Sequence, residues 1–253
     1  MKKNVKNTVK NNEIASHLLF NPERTVMSPE ATVRKVQKCS DWNDRGEERN
    51  FRQMVFNNIT FKNENLSGLE CHYSIFNHCT FEGTILNRME AHFAQFNNCE
   101  WKNCSLENST FAMASINDCN FYNSNLNGTD FSFATGCFAA TSSLMERCTA
   151  NNSTLMLVLS NTDVTGFEAN CANISLDVKG SSFRRADFCD STVSGQCVQT
   201  DLTGAELNRS DLAELELVDC ATHNMEKEDS FCIGFDKVIE DALNELEEGP
   251  LDD

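Results

Sequence analysis

Two triplets twenty residues apart, Glu70-Cys71-His72 and Glu90-Ala91-His92, bring together the side chains with the most chemistry in this chain. Two imidazoles and two carboxylates on one face could hold a metal ion or titrate near neutral pH. Thirteen cysteines form the other reactive set; their number is odd and no C-x-x-C pair occurs, which argues against a disulfide framework and a structural zinc site. No G-x-S-x-G, P-loop or H-E-x-x-H signature is present. Outward side chains on a solenoid are solvated, so the histidine pair reads as surface and not as a metal site. The chain is expected to be a non-enzyme without catalytic residues, metal or cofactor.

Whatever places residue 70 beside residue 90 must have an unusual period. In FNNCEWKNCSLENSTF, residues 96–111, a large apolar residue returns every fifth place, whereas a helix repeats at about 3.6 residues and a strand at 2. Followed from Phe51 to Phe131, the step visits seventeen positions, and fifteen carry large apolar side chains. Two residues before each, the side chains are mostly small, as Ser74, Cys79, Thr84, Ala94, Cys99, Cys104, Ser109, Ala114, Cys119, Ser124 and Thr129 show. Both sets are expected to point inward, with the cysteines serving as small hydrophobes. If four five-residue sides close one coil, residues twenty apart stack. Leu66, Leu86, Leu106 and Leu126 then form a column of one residue type, and Phe61, Phe81, Trp101 and Phe121 an aromatic column beside it. Lys62, Glu82 and Lys102 alternate in sign down an outward face, as paired strands favour. Glu70, Glu90 and Asp130 make a broken acidic line, read as a partner-binding surface.

This pattern resembles the pentapeptide-repeat family, summarised as A(D/N)LXX, most closely at Ala186-Asp187-Phe188, Thr200-Asp201-Leu202, Ala205-Glu206-Leu207 and Ser210-Asp211-Leu212. The resemblance implies an all-β fold, a right-handed quadrilateral β-helix, over residues 51–217; about eight coils spaced ~4.8 Å give a rod ~40 Å long. The phase becomes ambiguous between Gly136 and Gly180 and slips by one near Cys197, so residues 136–180 are expected to be irregular or looped. Open solenoid ends need covers. At the start, residues 1–50 form a polar leader and cap: Ser28-Pro29-Glu30 begins a helix whose Val33 and Val36 face the first coil. At the far end, residues 218–253 are acidic, and Phe235, Val238, Ile239, Leu243 and Leu246 follow helical spacing, expected to cap the rod or join it to a second copy.

The net charge of −17 is unevenly spread, at +3 over residues 1–50, −7 over 51–210 and −13 over 211–253. Without a basic stripe the chain is not expected to bind nucleic acid directly; a basic protein partner suits it better. No apolar run approaches the ~18 residues of a membrane span, and MKKNVKNTVKNN lacks the apolar stretch of a signal peptide, so a cytoplasmic location is expected. Similarity to the gyrase-protecting, quinolone-resistance branch implies a DNA-mimicking rod acting on DNA gyrase or topoisomerase IV, with a homodimer formed through the C-terminal helix. The alternative is an exported effector or adaptor that uses the rod as an interaction platform.

Overall fold

The protein is described here from a computed structural model over residues 24–40 and 49–230. The chain winds as a four-sided coil whose inward residues recur every fifth place. Two sides are extended and two are turns. On a turn side such as Leu66-Ser67-Gly68-Leu69, the Leu69 N–H donates to the Leu66 carbonyl at 3.1 Å, and Gly68 takes a φ of +69°, as a type II turn requires. The extended sides form strands β2 (Met54–Asn57), β4 (Ile75–Asn77) and β6 (Gln95–Asn97) on one face and β3 (Thr60–Lys62), β5 (Thr80–Glu82) and β7 (Glu100–Lys102) on the next. All pairs are parallel with partners twenty residues apart, as in Phe56↔Phe76↔Phe96 and Phe61↔Phe81↔Trp101.

The interior is a set of stacked columns. Phe76 and Phe96 lie 4.9 Å apart at 2°, and Trp101 is sandwiched between Phe81 at 5.2 Å and Phe121 at 4.5 Å. Leu66, Leu86, Leu106 and Leu126 are fully buried. Each coil therefore carries its own apolar filling, worth ~1.5–3 kcal/mol per large side chain before entropy is counted. The small inward residues also bond: Thr84 Oγ1 donates to the Phe61 carbonyl at 3.1 Å, Ser109 Oγ to Leu86 at 2.9 Å and Cys99 Sγ to Phe76 at 3.3 Å. A hydroxyl or thiol at this place ties a core residue's backbone to the next coil, which explains why Ser, Thr and Cys share it.

Residues 136–180 do not loop out. The ladders of the two extended faces merge in β8 (Ser115–Tyr122), and from there β9 (Thr135–Thr141), β10 (Thr154–Ser160), β11 (Asn173–Lys179) and β12 (Thr192–Val198) each span both faces without a corner. Partners are now nineteen apart, as in Thr135↔Thr154↔Asn173↔Thr192. One corner residue has been lost per coil, so the local period changes from five to two, and LMLVL reads buried-exposed-buried within β10. This removes the apparent phase conflict. The register shift enters between Ile116/Cys119 and Gly136/Phe138. Twenty-residue spacing returns at Gly195↔Leu215, in β13 (Leu215–Val218). The last bridge among the described residues joins Glu206 to Glu226, so the coil continues past residue 217.

The N-terminal edge is covered by β1 (Thr25–Val26), which pairs with β2, and by helix α1 (Pro29–Ser40). Ser28 Oγ accepts from the Ala31 N–H at 3.2 Å, a cap worth about 1 kcal/mol. Val36 is buried as expected, but Val33 is 54% exposed; Thr32, one turn before Val36, takes the inner place instead. Phe235, Val238, Ile239, Leu243 and Leu246 lie outside the described residues. No helix among the described residues is long and apolar enough to cross a membrane.

Candidate protein-binding face

The turn side that begins at Phe51 carries the residues singled out for chemistry. The position before each inward residue bridges to its equivalent in the next coil: Asn50, Glu70, Glu90, Thr110, Asp130, Thr149, Glu168, Asp187, Glu206 and Glu226. Seven of these ten rungs are acidic. The sequence period of twenty brought out only Glu70, Glu90 and Asp130; the four nineteen-residue steps from Asp130 to Glu206 put the lower acidic rungs Glu168, Asp187, Glu206 and Glu226 out of phase with it. Knowledge that β9 to β12 drop one residue per coil would have revealed them. Nine steps of ~4.8 Å make the column ~43 Å long, with a carboxylate about every 6 Å, half the linear charge density of one DNA strand at ~3.4 Å.

The two ends of the column differ in how their charges are met. Arg52 Nε approaches Glu70 at 3.0 Å, and His72 Nε2 approaches Glu90 at 3.2 Å. Asp130 accepts from the Ser132 N–H and from Thr149 Oγ1, both at 2.8 Å. Glu168 and Glu206 form no ion pair among the described residues. The lower half of the column thus holds the carboxylates most available to an external cation.

His72 and His92 do meet, as stacked rings 5.1 Å apart, but their nitrogens do not converge with the carboxylates on one point. Burial, joined by the positive charges of Arg52 and His92, pushes His72 below its ordinary value against the pull of Glu90. Among the described residues the group whose ligand atoms all lie within 4.8 Å is Asp187, Cys189 and Glu206, which sequence spacing did not single out. Burial and the hydrogen bond to Asp187 push the Cys189 thiol up to about 11, so it carries its proton at neutral pH. Burial works against ionisation of Asp187, yet hydrogen bonds from the Cys189 N–H at 3.0 Å and Asn170 Nδ2 at 2.9 Å outweigh it and hold the carboxyl below the usual range. Asp187 and Glu206 are successive rungs of the acidic column, and Cys189 lies beside them.

The side chains on the neighbouring face are partly as expected. Lys62 Nζ meets Glu82 at 2.9 Å, while Lys102 turns to Glu100 at 2.6 Å and not to Glu82. Along the other extended face Asn57, Asn77, Asn97 and Asn117 form an amide ladder, in which Asn77, Asn97 and Asn117 each donate from Nδ2 to the Oδ1 of the Asn one coil earlier at 2.8 Å. The cysteines sort by burial. Burial pushes Cys148 and Cys197 up to about 12, whereas Cys171 is exposed. In a folded protein with Cys39 and Cys232 replaced by Ser, Cys171 is expected to react fastest with Ellman's reagent, and Cys171→Ser to remove that fast phase; a fast phase that survives the substitution would contradict the burial pattern.

The pattern of the pentapeptide repeats matches residues 92–128, in eight copies. No curated protein matches the chain. Among solved structures, full-length QnrB1, a plasmid-mediated fluoroquinolone resistance protein, is similar at 16% identity over 76% of this chain and 91% of that one, with a TM-score of 0.47. HetL, involved in heterocyst differentiation regulation in the cyanobacterium Nostoc sp. strain PCC 7120, is similar at 15% identity over 79% and 94% of the two chains, with a TM-score of 0.31. Rfr23 from the cyanobacterium Cyanothece 51142 is 12% identical over 74% and 92%, with a TM-score of 0.27.

Proposed function

We propose that this chain, a pentapeptide-repeat protein, is a non-enzymatic binding rod that presents its acidic column to the basic, DNA-binding surface of a type II topoisomerase. The observation that carries this reading is the column itself, seven carboxylates on ten consecutive rungs of a rigid solenoid. A coil held by parallel pairing and stacked rings fixes those charges at one spacing, so a cationic groove meets them without ordering a flexible chain first. None of the ten rungs carries a basic side chain, and Glu168 and Glu206 form no ion pair among the described residues while Arg209 beside them is taken up by Asp190, which favours steered association with a positive cleft.

The purified protein is expected to relieve quinolone inhibition of DNA gyrase supercoiling, and the double substitution Glu168→Lys/Glu206→Lys to abolish the relief while leaving the far-ultraviolet spectrum unchanged. The effect should weaken as salt rises, because exposed charges are screened beyond about 10 Å at 0.1 M. No relief at micromolar excess, or equal relief by the charge-reversed protein, rejects the topoisomerase as partner.

A further inference from the structure

Alongside the acidic column runs a second one, three residues later in each coil, at the left-handed corner of the same turn side. Tyr73, Phe93, Met113 and Phe133 occupy it in four consecutive coils, with φ of 60°, 58°, 60° and 59°. An L residue with a bulky side chain rarely adopts this conformation, which Gly and Asn adopt most cheaply. The same corner in other coils is taken by polar or small residues, Gln53, Asn152, Cys171, Asp190, Arg209 and Asp229. The four side chains are also turned outward: Tyr73 and Phe93 stack at 5.0 Å and 2°, Met113 is 47% exposed and Phe133 52% exposed. Four successive corners therefore hold apolar side chains on a strained backbone; Tyr73 and Phe93 are half-buried and shield each other by stacking, whereas Met113 and Phe133 are left exposed. Strain that the scaffold could shed by placing Asn there points to a use outside the fold.

We infer that this stripe docks an amphipathic α-helix with a basic flank, supplied by a protein partner and lying parallel to the rod. The spacing fits: the stripe offers one apolar side chain per ~4.8 Å coil, and such a helix offers one per ~5.4 Å turn, so four contacts drift by only about 2 Å in total. The charge fits too. With the apolar seam on Met113 and Phe133, one flank of a helix about 10 Å across lies over the rungs of Glu90 and Asp130, which select Lys or Arg there. Arg52 already meets Glu70 and His72 reaches Glu90, so the demand for positive charge falls mainly on Asp130. This inference rests on the rod being protein-binding and does not need the partner to be a topoisomerase.

The test uses labelled synthetic helices of about sixteen residues, roughly four turns, titrated into the full-length protein and followed by fluorescence anisotropy. One has a Leu seam with Lys and Arg on a single flank, a second replaces the basic residues by Glu, and a third keeps the basic composition but scatters the leucines. The first is expected to bind, and the triple substitution Phe93→Asn/Met113→Asn/Phe133→Asn to weaken it by about tenfold or more, as loss of clustered anchors does. The melting temperature should hold or rise, since Asn suits the corner. Equal binding of the scattered peptide, or unchanged affinity in the triple variant, overturns the inference. So does concentration-dependent self-association that the triple variant abolishes without any peptide binding, because the stripe then belongs to a second copy. Peptide binding without relief of gyrase inhibition leaves the stripe standing and removes the topoisomerase, and relief without peptide binding does the reverse.

Discussion

Gly136→Ala is expected to destabilise the coil by at least about 3 kcal/mol. A Cβ at this position would stand 1.9 Å from the Ile116 carbonyl oxygen, and the residue holds a φ of +124° that only glycine adopts freely. Neither obstacle can relax locally, because the obstructing atom is backbone in the neighbouring strand. The site is also where the coil loses its corner residue: Ile116 pairs with Gly136, and Cys119 with Phe138. Phe138, two residues on, is buried with its ring 5.2 Å from Phe131 and 5.5 Å from Phe121. Gly195, at the return to twenty-residue spacing, repeats the device with its Cβ position 2.0 Å from the Leu176 oxygen. Gly68→Ala is the control: its φ is +69°, but nothing lies within 4 Å of the added carbon, so only the left-handed penalty of about 1–2 kcal/mol applies. Urea unfolding of the two variants should separate them, and equal shifts would show that the close approach at Gly136 is not a constraint.

Trp101→Ala should cost about 3–5 kcal/mol, whereas Trp101→Phe should stay within about 1 kcal/mol of the parent. The indole is fully buried between Phe81 and Phe121, so truncation opens a cavity that the stacked rings above and below cannot close. Its Nε1–H, however, is buried without a hydrogen-bond partner. Phenylalanine, the residue already present at Phe61, Phe81 and Phe121 in the same column, removes that orphan donor and leaves a smaller void, two effects of opposite sign. Because each coil touches only its neighbours, the loss in Trp101→Ala should concentrate in coils two to four and broaden the unfolding transition. A Trp101→Phe protein as unstable as Trp101→Ala would mean that the indole makes a contact the packing does not account for.

The repeat by itself determined much of this protein. An apolar residue every fifth place, from Phe51 to Phe131, is enough to require a four-sided coil, since no helix or strand has that period, and the columns of Leu66–Leu126 and Phe61–Phe121 follow from it directly. The capped start of α1 at Ser28 was equally legible, being a local signal. What lay beyond sequence was decided by contacts between coils. Deleting one corner residue per coil replaces a period of five by a period of two along β9 to β12, and a local pattern cannot say which distant strand it will match. The same register carries the acidic column past Asp130 to Glu168, Asp187, Glu206 and Glu226. The corner residues Tyr73, Phe93, Met113 and Phe133 were hidden for a related reason: their apolar character reads as core in a sequence, and only the left-handed backbone at the turn keeps them out of it, with the first two half-buried and the last two exposed.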